Sequence, residues 1–387
     1  MQGLYLHYPF CIKKCRYCDF FSKPLAMQKT DEYILALLNE ICAFSAYYDW
    51  GIFTSVYFGG GTPSLLSSDK LQIIMEALYN NFSIAKDAEL TLEANPGTLT
   101  LSKLKAYKKA GINRLSIGLQ SLSDPLLTRI GRPHTAAQFF EAYSFAREAG
   151  FKNINVDLMH GLPGQTLNEY RDTLLKTLSL RPEHISSYAL TLAEGTPLYA
   201  DVLACKETTP KDDDIFNMQD SGIALLEQSG YTRYEISNFD KPGFYCRHNQ
   251  NYWENGMYLG LGASAHSAWQ LCFNARSNWT RWSNPADLNA YIGAVKAPLN
   301  ERAFEVIPKA EEMFETIMLG LRQTCGISLS TFKTRFNTEV KSAFPKAIEK
   351  LTALGLLEID PNSMKLTSRG LDLQNSALLL FMAESPL

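Results

Sequence analysis

Three cysteines fall within eight residues: Cys11-Ile-Lys-Lys-Cys15-Arg-Tyr-Cys18, followed by Asp19-Phe20. Thiolates bind iron–sulfur clusters, and close spacing lets one loop wrap one cube. Three ligands are one short of a full set, which leaves one iron open to another molecule. The competing readings are a zinc site and unrelated buried thiols. Zinc prefers four tight ligands from paired C-x2-C or Cys/His units, and no second pair lies nearby.

Other chemistry-bearing residues stand at comparable places. Gly59-Gly60-Gly61-Thr62-Pro63 closes a strand-like segment, and without side chains its backbone can approach a ligand closely. It is not a dinucleotide fingerprint, because no third glycine follows at the needed spacing. Glu93, Gln120 and Asp157 end three further strand-like segments, and Arg132 sits in the loop after the second of these. Carboxylates accept from hydroxyls and arginine grips a carboxylate bidentately, so such a ring suits a ribose, an adenine edge and a carboxylate. His248-Asn249-Gln250-Asn251-Tyr252-Trp253 pairs an imidazole with flat rings, a combination that suits haem iron and its macrocycle. His7, His134, His160, His184 and His266 are weaker candidates for that role.

The elements that must position these residues follow from periodicity. Strands are expected at 3–8, 55–59, 89–93, 114–120, 153–159 and 184–190, with helices between them. Thr30 reads as the N-cap of the first helix, Thr135 opens a later one, and Thr166 with Glu169 reads as a capping box. Six strand–helix units argue an α/β fold with a parallel sheet and helices outside, closed into a partial (β/α)6 TIM-like barrel. Every candidate motif falls at the carboxyl end of a strand, the functional end of such barrels. Helices followed by a short hairpin after residue 305 suggest a winged-helix-like appendage. The expected division is a core barrel over 1–235, a connecting region over 236–300 and a small C-terminal domain over 301–387.

With 387 residues, 46% hydrophobic and a net charge of -3, the chain is globular, with no charge excess to draw it to nucleic acid or acidic lipid. The basic residues of the appendage (Lys333, Arg335, Lys341, Lys346) are diluted by Glu339 and Glu349, which favours a structural or partner-docking role over DNA binding. The apolar run Ala377–Ala383 is too short to span a membrane, and the start of the chain lacks a signal-peptide pattern. The eight cysteines form no disulfide-scaffold pattern, so a reducing, cytoplasmic setting is expected.

At these residues the chain resembles the branch of the radical S-adenosylmethionine (SAM) superfamily that contains oxygen-independent coproporphyrinogen dehydrogenase and the HemW haem chaperones. The resemblance rests on Tyr5-Leu-His-Tyr-Pro-Phe-Cys11, Gly59-Gly-Gly-Thr-Pro-Ser64, Glu93-Ala-Asn-Pro96, Asn113–Ser121, Asn155–Pro163 and Leu319-Gly-Leu-Arg322. It implies a 4Fe-4S cluster on Cys11, Cys15 and Cys18, and SAM contacts from Tyr5, Tyr17, Gly60, Gly61, Thr62 and Glu93. Gln120, Arg132 and Asp157 match positions that contact a second SAM in the dehydrogenase. Two features favour the chaperone side: Phe20 stands where the dehydrogenase has a further cysteine, and H-N-x-x-Y-W is present as His248–Trp253. The implied ligand is haem, with His248 the preferred haem ligand, and the implied partners are recipient haem proteins. The oligomeric state, monomer or homodimer, is left open. The rival implication is oxidative decarboxylation of a porphyrinogen.

Overall fold

Six strands carry apolar residues on one face and polar residues on the other: β1 (Gln2–Tyr8), β2 (Ile52–Gly60), β3 (Ser83–Ala94), β4 (Arg114–Gln120), β5 (Ile154–His160) and β6 (His184–Ala189). They run parallel in the order of the sequence. Leu4, Leu6, Val56, Phe58, Leu92, Ile117, Val156 and Ile185 belong to one buried apolar core. That core lies against five helices, α1 (Met27–Tyr47), α2 (Ser68–Asn81), α3 (Leu101–Lys109), α4 (Ala136–Glu148) and α5 (Leu167–Ser179). The alternate positions, Tyr5, Tyr57, Glu93, Ser116, Asn155 and Asp157, bond to one another on the concave face. Period-two alternation therefore both closes the partial barrel and furnishes its interior. The computed structural model describes residues 1–273, 276–294 and 303–384.

The capping box at Thr166/Glu169 is formed, and Thr135, expected only to open its helix, forms a second one with Gln138. Thr30 is not a cap: α1 starts earlier, after Ala26, and the Thr30 hydroxyl donates to the Ala26 carbonyl at 2.9 Å. A serine or threonine one turn into a helix satisfies itself in this way without marking the start.

Within the expected connecting region 236–300, the described residues 236–273 and 276–294 contribute strands that extend the sheet. The short strands β7 (Thr232–Arg233) and β8 (Asn238–Asp240) close the β6 edge antiparallel. Helix α6 (Asp212–Gln228) packs on α5 ahead of them, and α7 (Arg247–Trp253) follows. Strand β9 (Met257–Leu261) then pairs parallel with β1, and β10 (His266–Phe273), β11 (Arg276–Ser283) and β12 (Glu305–Val306) continue outward antiparallel. Among the described residues the result is one twelve-stranded sheet.

The C-terminal unit has its own apolar core, built around Phe332, Phe336, Leu351, Met364 and Phe381. Its helices α8 (Lys309–Gly320), α9 (Leu329–Phe336), α10 (Pro345–Ala353) and α11 (Gln374–Glu384) surround a small sheet of β13 (Ile327–Ser328), β14 (Leu357–Ile359) and β15 (Ser363–Leu366). This is the winged-helix-like arrangement expected. Two of its basic residues are engaged internally: Lys333 pairs with Glu339 at 2.6 Å, and Arg335 with Glu312 at 2.7 Å.

Candidate functional site: a cluster loop over a polar barrel

At the carboxyl end of the strands lies a cavity of about 350 Å³, lined by Cys11, Cys15, Tyr17, Cys18, Gly60, Gly61, Thr62, Glu93, Gln120, Arg132 and Asp157. Eleven candidates separated by up to 146 positions in sequence thus share one space. The cysteine loop is tied down from several sides. The Arg16 amide donates to the Ile130 carbonyl at 3.0 Å, the Leu25 amide to the Cys11 carbonyl at 2.9 Å, and the Thr62 hydroxyl to Cys11 Sγ at 3.4 Å. Arg132 reaches over the barrel rim, donating to the Gly118 carbonyl at 2.7 Å and to Cys15 Sγ at 3.6 Å.

The residues fit an iron–sulfur cluster with a small ligand beside it. Among the described residues, no three His, Cys, Asp or Glu side chains converge as a single ion requires. One tetrahedral zinc would need sulfurs about 3.8 Å apart, given bonds of about 2.3 Å, whereas a cube presents its irons at separate corners. The glycines line the cavity with bare backbone, and each is also required by packing against the chain's own atoms. A Cβ on Gly60, which has φ +105°, would sit 2.6 Å from the His7 ring, and one on Gly61 would sit 2.8 Å from the Phe10 carbonyl. Two polar atoms of lining residues have no protein partner: Arg132 Nε and Asn95 Oδ1 are both buried. Gln120 adopts φ 67° where the β4–β5 register slips, a backbone conformation that side-chain-bearing residues rarely adopt.

Glu93 accepts from the Tyr57 hydroxyl at 2.8 Å. Burial pushes its carboxyl up to about 7, and Asp157 nearby adds to the shift. Asp157 is raised in the same direction by burial, against hydrogen bonds from Asn155, Ser186 and Ser116. A carboxyl raised by folding favours the fold while protonated. Its contribution is therefore complete below the ordinary value of 4.5 and disappears as pH climbs through about 7. The cluster-free protein is expected to melt at progressively lower temperature from pH 5 to pH 8. Glu93→Gln should reduce that decline, as read by thermal melts across the range; a slope identical to wild type would refute the assignment.

Tyr5 lies one layer below the cavity. Its hydroxyl meets His7 Nδ1 at 3.1 Å, and its ring stacks with Tyr57 at 6.3 Å between centroids. His248, expected as the haem ligand, is not in the cavity at all. It plugs the opposite, amino-terminal end of the barrel, 1% exposed and stacked on Tyr57 at 5.0 Å. Both ring nitrogens are taken, Nδ1 by the Ser55 hydroxyl at 2.9 Å and Nε2 by the Tyr252 hydroxyl at 2.9 Å. In this structure the imidazole therefore fills the amino-terminal end of the barrel, with both nitrogens held by hydroxyls of the chain. The H-N-x-x-Y-W pattern is explained by that plug: His248 and Tyr252, one helical turn apart on α7, bond to each other.

The plug also carries residues that periodicity did not single out. Glu89 accepts from the amides of Arg247 and His248 at 3.1 and 3.2 Å, capping α7, and from Cys246 Sγ at 3.4 Å. Burial pushes the Cys246 thiol up to about 12, so it is the S–H that donates. Arg114 faces Glu89 at 4.0 Å and is 2% exposed. The available signal was alternation: Arg114 stands two and four residues before Ser116 and Gly118, on the same inner face.

Comparison with known proteins agrees with this geometry. The Radical SAM superfamily profile matches residues 5–176, and that of the HemN C-terminal domain matches residues 307–373. The chain is 34% identical to the haem chaperone HemW of Bacillus subtilis, over 99% of this chain and 100% of that one. It is 35% identical to HemW of Haemophilus influenzae over 99% and 98% of the two chains. A mouse protein named radical S-adenosyl methionine domain-containing protein 1, mitochondrial, is 33% identical over 99% of this chain and 87% of its own. Among solved structures, coproporphyrinogen III oxidase (HemN) of Escherichia coli has the same fold. The TM-score is 0.82 at 24% identity, covering 98% of this chain and 89% of that one. End-to-end identity above 30% with the chaperones decides the branch: this chain belongs to the HemW haem chaperone family of the Radical SAM superfamily.

Proposed function

We propose that this protein binds haem and passes it to haem-requiring proteins in the cytoplasm, carrying a 4Fe-4S cluster on Cys11, Cys15 and Cys18 and SAM beside it. The observation that carries the reading is full-length similarity to proteins named haem chaperones, on a chain whose cluster loop and glycine run line one cavity. Bound there, the cluster would supply an electron to the SAM sulfonium. The chain's own part is positional: Gly60 and Gly61 offer backbone to the ligand, Glu93 and Asp157 offer acceptors, and Arg132 offers a fixed positive charge. Phe20, 65% exposed beside the loop, stands where the related dehydrogenase has a further cysteine, which weighs against decarboxylation.

The test is a haem titration of the cluster-loaded protein, with transfer to an apo haem protein read by difference spectra. Binding followed by transfer is expected. Vinyl formation from coproporphyrinogen III under anaerobic conditions, without haem binding, would overturn the reading. His248→Ala should bind haem as wild type does while losing about 3 kcal/mol of stability, from the cavity and two lost hydrogen bonds. A variant that folds with wild-type stability but no longer binds haem would reinstate His248 as the ligand.

A further inference from the structure

Between the second and third cysteines of the cluster loop stands Arg16, and distant parts of the chain hold it at every polar group. Its amide donates to the Ile130 carbonyl at 3.0 Å, and its carbonyl accepts from the Leu198 amide at 2.8 Å. Its guanidinium donates to the Arg129 carbonyl at 2.6 Å and to Glu207 at 3.2 Å, and it pairs with Asp201. Gly131, at φ +79°, lets backbone pack on the same side chain: a Cβ there would sit 3.1 Å from Arg16 Cγ. The partners of the guanidinium lie 113 to 191 positions away in sequence.

Both carboxylates come from the segment that follows β6. Thr191 and Ala193 line the cluster cavity, and Thr196 then caps a short helix over Pro197–Leu203, with Leu198 fully buried. Asp201 stands in that helix. The chain folds back at once, and the Lys206 and Glu207 amides donate to the Asp201 carbonyl at 2.8 and 3.2 Å. This turn sets Asp201 and Glu207 side by side. Glu207 also meets Arg129 at 3.6 Å, so two carboxylates and two guanidinium groups form one ion-pair cluster against the loop. The side chains are partly exposed, 30% for Arg16 and 28% for Asp201. Pairs of this kind add little to the stability of a whole fold. A planar guanidinium held by several acceptors nevertheless fixes direction as well as position.

We infer that Asp201 and Glu207 are positioning residues for the iron–sulfur cluster. Acting through Arg16, they hold the loop between Cys15 and Cys18 in place before the cluster arrives and slow its loss afterwards. This inference rests on the cluster reading above. The cysteine loop lies at the surface, with Ile12, Lys13 and Lys14 exposed, and ordering such a loop opposes binding. Holding residue 16 at its amide, carbonyl and guanidinium removes part of that cost in advance. The effect of the carboxylates therefore falls on cluster retention, not on global melting.

The test uses full-length protein reconstituted anaerobically with iron and sulfide, and follows by absorbance the rate at which a ferrous chelator removes the iron. The double variant Asp201→Asn/Glu207→Gln should lose iron about tenfold faster than wild type, the effect typical of groups that orient metal ligands. Its cluster-free form should melt within about 2 °C of wild type. Raising the ionic strength should speed the loss from wild type much more than from the variant, whose ion pairs are already gone. Adding the two changes to Arg16→Gln should give no further increase over Arg16→Gln alone, because the carboxylates act through that side chain. A wild-type release rate in the double variant, or an additive increase in the triple, would overturn the positioning role and leave the cluster reading standing. If the double variant does not fold, Arg16→Lys keeps the charge without the fork and should also release iron faster; a wild-type rate there would overturn the inference. No iron retained by wild type would overturn both readings.

Discussion

Cys15→Ala should leave the protein unable to hold iron. Anaerobic reconstitution of wild type is expected to give about four iron and a broad absorption near 400 nm, and the variant almost none of either. Cys15 is the most enclosed of the three loop thiols, 9% exposed, and it receives the Arg132 guanidinium at 3.6 Å. A cube already one ligand short of four would be left with two, too few to stay bound while SAM exchanges. Cys246→Ala is the control. That thiol is also buried but lies at the barrel floor against Glu89, so its loss should reduce stability without changing iron content. Equal iron in Cys15→Ala and wild type would remove the cluster from this loop. Loss of iron in both variants would mean that the assay reports unfolding, which a circular dichroism melt of each variant checks.

What the sequence made legible follows from the range of the interactions involved. The six barrel strands and the Thr166/Glu169 capping box are set by residues two to four apart, and they stand where local pattern places them. The mouth of the barrel was readable for the same reason: once the strands are known, their carboxyl ends must converge, and Gly60, Glu93, Gln120 and Asp157 come together. The floor was not readable. His248 meets Ser55 across 193 positions, and Cys246 meets Glu89 across 157. No local pattern encodes such pairs, so the hydroxyl partners of a histidine beside two aromatics are seen only in the folded chain. His160 stood only among the weaker histidine candidates for the converse reason, since an absence of partners is invisible before the chain folds. The sheet extension after β9 was missed because parallel pairing with β1 joins residues about 255 positions apart, with no turn signal between them.

Arg114→Met should be the most destabilising single change outside the cluster loop. The guanidinium lies inside the barrel, 2% exposed, facing Glu89 at 4.0 Å. Removing it leaves a buried carboxylate whose remaining donors are the Cys246 thiol and the two amides at the start of α7. Breaking a buried pair from one side typically costs about 3–5 kcal/mol, because the other charge stays desolvated. In a chain of this size that corresponds to a fall in melting temperature of roughly 4–6 °C. The partner change separates this from simple loss of packing. Glu89→Gln keeps an acceptor for the α7 amides but removes the charge, so the double variant should recover much of the loss, with a coupling of about 1–3 kcal/mol. The effect should also reach the mouth. Arg114 lowers the pKa of both Glu93 and Asp157, against the larger upward push of burial, so its removal should move the pH-dependent fall in stability to still higher pH. A single variant melting within about 2 °C of wild type, or additive losses in the double variant, would show that the Arg114–Glu89 pair does not hold the barrel floor together.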